Sequence, residues 1–311
     1  MATFRYVLVD LFTDRPLKGN ALAVFTDARE IPEDMLQPLA REMNLSETVF
    51  VYPSGHPVPT PRPRTPQAQT AGPRNDAETV FVYPAEQGAH ARIRIFTPLL
   101  ELRVAGHPTL GTAFILAGPL QLPEIRLETG AGIVPVLLER EGPRITFGRM
   151  EQPLPSVAPY KGADEVLRAA GVDRSELPVE IYDNGMQNVY VALTSVEEVV
   201  ALEPDLARLR PAGDIGFNFF AGSGLRWKTR MFAPGGGVAE DPATGSAAGP
   251  LCLHLARHAR IAFGEEIEIS QGEEVGRPST LYARVEGSPE RVEKVEVAGS
   301  AVVVARGEFK L

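Results

Sequence analysis

The chain has 311 residues, of which 44% are hydrophobic and 23% charged, a composition typical of a globular protein with a substantial core. This length allows one large domain or two domains of ordinary size. The net charge of −9 argues against a nucleic-acid-binding protein, whose surface would carry a basic stripe. The single cysteine, Cys252, excludes an internal disulfide and a CxxC metal site.

The first twelve residues, MATFRYVLVDLF, predict a strand, and they lack the charged start and long apolar core of a signal peptide. No run of residues approaches the roughly 18 apolar positions that a membrane span requires. We therefore expect a cytoplasmic protein that has no membrane partner.

Short runs rich in β-branched residues recur from RYVLVDLF to AVVVARG and predict strands bounded by Gly or Pro. Between them, the hydrophobic patterns predict surface helices at 32–43, 163–170 and 196–209. Two further helices, 107–118 and 246–261, are apolar nearly all round, which predicts that they are buried and surrounded by sheet. One buried helix in each half favours an α+β fold with two similar lobes.

The string ETVFVYP occurs twice, at Glu47 to Pro53 and at Glu78 to Pro84, and nothing else in the chain repeats at that period. Residues 53–73 hold seven prolines in 21 positions, which favours polyproline II or disorder over packed structure. A solvated insert is the favoured interpretation of this segment, and a proline-rich ligand for a partner domain is the alternative.

Both buried helices begin with a glycine-rich polar sequence, AGHPT in the first and EDPATGSA in the second. The free N–H groups of a helix start suit binding of a carboxylate or an oxyanion, and Gly106 and Gly245 would let them approach a ligand closely. Pro250 is acceptable only in the first helical turn, so the second helix should begin near Ser246.

Each polar residue at these helix starts also has a structural interpretation. Asp241 and Ser246 could be helix caps, and His107 could hydrogen-bond to the backbone. Their mirrored placement at two buried helices favours the functional interpretation over the structural one.

Other motifs are missing: there is no GxSxG nucleophile elbow, no phosphate-binding loop with its lysine, and no GxGxxG. His254 and His258 have the spacing of metal ligands on a helix, but the glutamate of an HExxH motif is absent. We expect the two histidines to mark the face where the helix emerges from the core. The sequence therefore predicts neither a cofactor nor a metal.

Several segments, among them DLFTDRPLKGNALAV, NLSETVFV, AGHPTLGTA and EDPATGSAAGPL, resemble the phenazine-biosynthesis PhzF-like family, of diaminopimelate-epimerase-like fold. The resemblance implies a homodimer without a cofactor, in which each lobe is a bent mixed sheet rolled round its central buried helix. It places the active site in the cleft between the lobes. The first lobe would comprise 1–118, with an atypical insert at about 54–84 and completion by the C-terminal strand at about 301–311. The second would comprise 119–300.

The resemblance also implies roles for individual residues. The residue that matches the family's general base is Glu47 of the string LSET, and His107, Asp241 and Ser246 match its catalytic partners. The residues expected to bind substrate are Asn20, Gly106 and Gly245. Helix starts with His107 and Ser246 where related folds carry cysteines disfavour a cysteine-pair racemase.

The duplication leaves two candidates for the base. Glu47 follows Leu45 and Ser46 as in the family and is favoured, whereas Glu78 lacks that approach but has the shorter connection to the next strand. The predicted function is an isomerase or epimerase that moves a carbon-bound proton on a small carboxylate-bearing metabolite. The alternative is a ligand-binding or scaffold protein whose catalytic site has been disabled by the insertion.

Overall fold

The computed structural model describes residues 2–53, 58–59, 82–83, 88–103 and 105–311. They form a large mixed sheet of 18 strands, a separate two-stranded sheet and a small number of helices, so the predicted α+β class is confirmed. Within these residues no helix is both long enough and apolar enough to cross a membrane.

The strands in the first part of the chain are β1 Thr3–Leu11, β2 Asn20–Phe25, β3 Glu47–Pro53, β4 Val58–Pro59, β5 Val82–Tyr83, β6 Ala91–Phe96, β7 Glu101–Leu102, β8 Glu124–Thr129, β9 Gly132–Glu141 and β10 Arg144–Gln152. Those in the second part are β11 Ser156–Pro159, β12 Glu180–Asp183, β13 Gln187–Ala192, β14 Ile215–Ser223, β15 Arg226–Ala233, β16 Val238–Asp241, β17 Glu266–Gln271, β18 Ser279–Gly287, β19 Val292–Gly299 and β20 Ala301–Lys310. The α-helices are α1 Leu36–Met43, α2 Gly106–Leu120, α3 Ala163–Ala170, α4 Val196–Val200, α5 Leu206–Leu209 and α6 Gly245–Arg257.

The order of strand pairing repeats along the large sheet. In the first part, β1–β2 is antiparallel, β2–β3 parallel, β3–β6 antiparallel, β6–β8 parallel and β8–β9 antiparallel. The same alternation recurs in β12–β13, β13–β14, β14–β15, β15–β17 and β17–β18. In both parts a short strand, β7 or β16, leads directly into a long apolar helix, α2 or α6. The chain therefore contains two copies of one supersecondary arrangement.

The two copies share one continuous sheet, because β10 pairs with β9 on one side and with β19 on the other. β20 returns to pair along the whole of β1. The division into lobes at residue 118 stays a prediction.

The two apolar helices are buried, as their composition predicts. In α2 the side chains of Leu110, Ala113 and Ala117 are inaccessible, and in α6 Leu251 and Leu255 are equally buried. All five belong to the same hydrophobic core. Truncating a leucine at such a position typically costs about 2–5 kcal/mol of stability, so the buried leucines of both helices contribute strongly to the stability of the fold.

Three details of the helices differ from the sequence predictions. The segment 196–209 is not one helix, because Pro204 disfavours helical backbone before it, and Asp205 caps α5 by accepting hydrogen bonds from two backbone N–H groups. α6 ends at Arg257 rather than at residue 261. Pro250 lies in the second turn of α6, not the first. The carbonyl of Ser246, which a proline cannot bond, accepts instead from Asn184 Nδ2 at 2.9 Å.

The described parts of the two copies of the duplicated string lie in different sheets. The first copy is β3, in the large sheet between β2 and β6. Within the second copy the described part, Val82–Tyr83, pairs with Val58–Pro59 as the separate two-stranded sheet. Glu78 and most of the proline-rich segment lie outside the described residues.

Candidate active site

β3 brings the first candidate base to the start of α2. Glu47 is the first residue of β3 and pairs in register with Leu22 of the parallel neighbour β2. Its Oε2 atom is buried and lies 3.2 Å from Nε2 of His107, the second residue of α2. The two atoms are in contact without the alignment of a hydrogen bond, and neither has another hydrogen-bond partner among the described residues. Both therefore remain free to bond to a bound molecule.

The starts of α2 and α6 lie against each other, and both need glycine there. A Cβ atom on Gly106 would lie 2.9 Å from the backbone nitrogen of Ser246, and one on Gly245 would lie 3.1 Å from the backbone nitrogen of His107. The first N–H groups of a helix have no partner within it and carry partial positive charge. Two such ends converge here, so the structure brings together the four helix-start residues that the sequence singled out.

Asp241 ends β16 and is the centre of a buried polar network. Its Oδ1 atom accepts hydrogen bonds from Asn20 Nδ2 at 2.9 Å and Ser46 Oγ at 3.3 Å, and its Oδ2 atom accepts from Thr244 Oγ1 at 2.7 Å. The residue at the N-cap position of α6 is Thr244, and no side chain caps that helix end. Asp241 is therefore not a helix cap, and its hydrogen bonds instead connect β2, the residue before β3 and the start of α6.

The first turn of α6 is fixed by side chains from two strands, β10 and β13, and from the residue that follows β12. Gln152 Nε2 donates to the carbonyl of Gly245 at 2.9 Å, and Tyr190 Oη donates to that of Ala247 at 2.8 Å. With Asn184 bonded to the carbonyl between them, three consecutive carbonyls are held from outside the helix. This anchoring fixes the position of the turn that lies against Gly106 and His107. None of these three anchoring residues was identified from the sequence, since each is remote from the helix in the chain.

The ionisable groups are strongly perturbed by burial. Burial, with a further contribution from the negative charge of Asp241, raises the pKa of Glu47 well above its ordinary value. Burial raises the pKa of Asp241 to about 6, against the opposing effect of its three hydrogen bonds. Burial lowers the pKa of His107 to about 3, so its imidazole is neutral. A carboxylate with a raised pKa is a stronger base, and a pKa nearer to neutral pH suits a group that both accepts and donates a proton.

A cavity of about 70 Å³ lies between the helix starts and β3. Its walls include residues that sequence reasoning missed, among them Met186, Asp214 and Met231. They lie in segments without a recognisable motif, so the sequence offered no signal for them. Among the described residues that line the cavity there is no lysine or arginine. The carboxyl groups of Glu47, Asp214 and Asp241 also line it, so an anionic group entering the cavity would depend on backbone N–H groups to offset their negative charge.

Comparison with known proteins identifies the family to which the chain belongs. The sequence model of the family described as phenazine biosynthesis-like protein matches residues 9–65 and 67–307. The chain belongs to this family. It is 44% identical over 307 residues to the trans-2,3-dihydro-3-hydroxyanthranilate isomerase of Pseudomonas aeruginosa, with 99% of both chains covered. An enzyme of the same name from Pseudomonas fluorescens is 43% identical, with 98% of this chain and 99% of the relative covered.

The fold of the family is the same. A crystal structure of a PhzF-family phenazine biosynthesis protein from Bacillus anthracis superimposes with a TM-score of 0.78 at 23% identity, covering 100% of both chains. The resemblance stated from the sequence is thereby confirmed, and so is the prediction of an isomerase of this family. The roles of the individual residues stay predictions.

The converging helix starts predict an anion site. Crystals soaked in sulfate or a small carboxylate should show density within hydrogen-bond reach of the N–H groups at Gly106 and Gly245, because both helix ends place partial positive charge there. A control soak of Gly245→Ala crystals should lose that density, since the added methyl group contacts the backbone of His107. Density elsewhere on the surface, and none between the helices, would contradict the assignment.

Proposed function

We propose that this protein is a cofactor-independent isomerase of trans-2,3-dihydro-3-hydroxyanthranilate that moves a proton from one ring carbon to another, with Glu47 as the base. One observation carries the proposal: a buried carboxyl group of raised pKa stands against a neutral histidine at two abutting helix starts. The activity named for relatives at 43% and 44% identity needs such a proton carrier.

Substrate binding would use the helix starts. The name of the relatives' substrate implies a carboxylate, an amino group and a hydroxyl group on a small ring. The carboxylate would accept hydrogen bonds from the N–H groups at Gly106 and Gly245, which stabilise negative charge without a cationic side chain. Ser246, in the first turn of α6, would donate a further hydrogen bond. Such positioning places the reacting carbon next to Glu47, where proximity lowers the barrier.

Proton transfer would then need a single carboxylate. Glu47 in its ionised form removes the proton from carbon, leaving the electron pair delocalised over the substrate, and its protonated form delivers the same proton to a second carbon. No electron or group is lost, so the product is an isomer. His107 is neutral, and its Nε2 atom can bond to the substrate or to the Glu47 carboxyl group as the proton moves. A substrate that fills the cavity displaces water from around Glu47, which slows the loss of the proton to solvent between the two steps.

The test is isomerisation of trans-2,3-dihydro-3-hydroxyanthranilate in heavy water, followed by NMR. We expect conversion of the substrate with deuterium at the receiving carbon in a fraction of the product, because Glu47 exchanges part of its proton with solvent before delivering it. Binding of the substrate with neither conversion nor exchange would overturn the proposal. It would favour the alternative of a ligand-binding protein with a disabled site.

The resemblance also supports a proposal of homodimerisation. Size-exclusion chromatography with light scattering should give twice the mass of 33.6 kDa of one chain. A monomer that retains full activity would contradict that part of the proposal.

A further inference from the structure

A second cluster of ionisable residues lies where β12 meets the far end of α6. Nδ1 of His254 is 3.2 Å from Oε2 of Glu180, and Nε2 of His258 is 3.0 Å from the same oxygen. Tyr182, also on β12, places its hydroxyl 3.0 Å from that oxygen. The His254 side chain has no exposed surface, contrary to the prediction that both histidines mark an emerging face. Its ring stacks on Tyr190, which fixes its orientation.

Three polar groups of this cluster share one carboxylate oxygen. A carboxylate oxygen has about two lone-pair positions, but three potential donors converge on Oε2 of Glu180. Oε1 of the same carboxylate lies 3.8 Å from the guanidinium group of Arg257. The hydroxyl of Tyr182 also lies 3.1 Å from Nδ1 of His254, and its single hydrogen can be donated to only one of the two atoms. When it is donated to Oε2, one lone pair of that oxygen remains for both histidines. A cation between the three residues would be bound by this remaining lone pair of Oε2 and by one lone pair from each imidazole.

The spacing of the three atoms fits a common coordination geometry. Nitrogen and oxygen ligands lie about 2.0–2.2 Å from zinc, so two ligands of one tetrahedral ion are about 3.3 Å apart. The two distances to Oε2 of Glu180, 3.0 and 3.2 Å, are close to that value, and all three atoms lie within 4.8 Å of one another. Two histidines and one glutamate form a ligand set that zinc uses in proteins.

We propose that Glu180 Oε2, His254 Nδ1 and His258 Nε2 bind one divalent cation of the zinc class. The fourth coordination position would be taken by water, because the His258 side chain is 21% exposed whereas the other two ligands are more deeply buried. Tyr182 orients the ligating carboxylate through its hydrogen bond, as outer-shell partners of metal ligands commonly do.

The cation would have a structural role, and this inference does not depend on the proposed function. His254 follows Ser246 by eight residues, which corresponds to about 12 Å along the helix, so the cluster is separate from the catalytic cavity. Glu180 and Tyr182 are on β12, and Asn184, just after it, bonds to the start of the same helix. A bound ion would therefore fasten the β12 segment to the far end of α6.

The experiment is calorimetric titration of the chelator-treated protein with Zn²⁺, with matched glutamine variants. We expect one ion per chain and a rise of about 5 °C in Tm at a free Zn²⁺ concentration of 100 Kd. His258→Gln should bind Zn²⁺ at least about 10-fold more weakly. His90→Gln, which replaces a histidine outside the cluster, should bind it normally.

A second variant, of another proposed metal ligand, tests whether weaker binding results from misfolding. Glu180→Gln keeps the size of the side chain but removes its charge, and it should also bind Zn²⁺ at least about 10-fold more weakly, with circular dichroism reporting an intact fold. The proposal is overturned if the folded wild-type protein takes up no stoichiometric Zn²⁺. It is equally overturned if His258→Gln and Glu180→Gln both bind Zn²⁺ as tightly as the wild type, which would place the ion elsewhere.

Discussion

Glu47→Gln is expected to lower kcat by about 10²- to 10⁴-fold and to abolish deuterium entry into the product. The amide has nearly the size of the carboxyl group but cannot accept a proton from carbon. Glu47 is in the large sheet, with its Oε2 atom 3.2 Å from His107 at the two helix starts. The measurement is a steady-state assay of the isomerisation together with NMR of the product formed in heavy water.

The matched control for this variant is Glu78→Gln, which makes the same change in an identical seven-residue string. We expect its kcat and its deuterium exchange to equal those of the wild type. If Glu78→Gln abolishes exchange and Glu47→Gln does not, the second copy carries the base and the assignment to Glu47 is wrong.

The loss of activity in Glu47→Gln should not come from unfolding. Burial and the nearby Asp241 raise the folded-state pKa of Glu47 above its value in the unfolded chain. The folded state therefore holds the proton more tightly, and the free energy of unfolding falls as pH rises from the ordinary glutamate pKa toward the raised one. Glutamine has no such penalty, so urea denaturation should show this variant to be at least as stable as the wild type at pH 7. The difference should narrow toward pH 4.

The features that the sequence could predict are those decided by local composition. α2 and α6 are apolar nearly all round, and such helices have no stable position except inside the protein. The sequence also singled out Gly106 and Gly245 at the two helix starts, and a Cβ atom added at either would lie about 3 Å from the backbone of the other helix. Their predicted close approach to a ligand stays a prediction. Each of these features could be predicted from the residues of a single segment, without knowing which other segments it contacts.

The features that could not be predicted depend on contacts between distant segments. Two copies of ETVFVYP have the same local preferences, and what separates them is the parallel pairing of β3 with β2. The pattern HxxxH lacked a third ligand within its own helix, and Glu180 supplies that group from a strand 74 residues earlier. The prediction of one helix over 196–209 was wrong for a local reason. It followed the apolar periodicity and gave too little weight to Pro204, which interrupts the helix.

Asp241→Asn is expected to move the acid limb of the kcat/KM profile to lower pH and to lower kcat by about 10²-fold. Isomerisation needs Glu47 in its ionised form, so the wild-type rate falls as pH drops through the raised pKa of that group. The negative charge of Asp241 contributes to raising this pKa, and the neutral amide removes that contribution. The rate falls because asparagine cannot accept all three hydrogen bonds that Asp241 receives from Asn20, Ser46 and Thr244.

The control for this last variant is Asp214→Asn, because Asp214 also lines the cavity but does not contribute to the pKa shift of Glu47. Its acid limb should coincide with that of the wild type. A measurement of stability distinguishes a lost catalytic charge from a lost fold. Asp241 does not cap α6, and burial raises its pKa to about 6, so the buried charge is unfavourable at neutral pH. Asp241→Asn should therefore stay folded at pH 7. A folded variant whose acid limb does not move would show that the two carboxyl groups are not coupled, and full activity would remove Asp241 from the catalytic site.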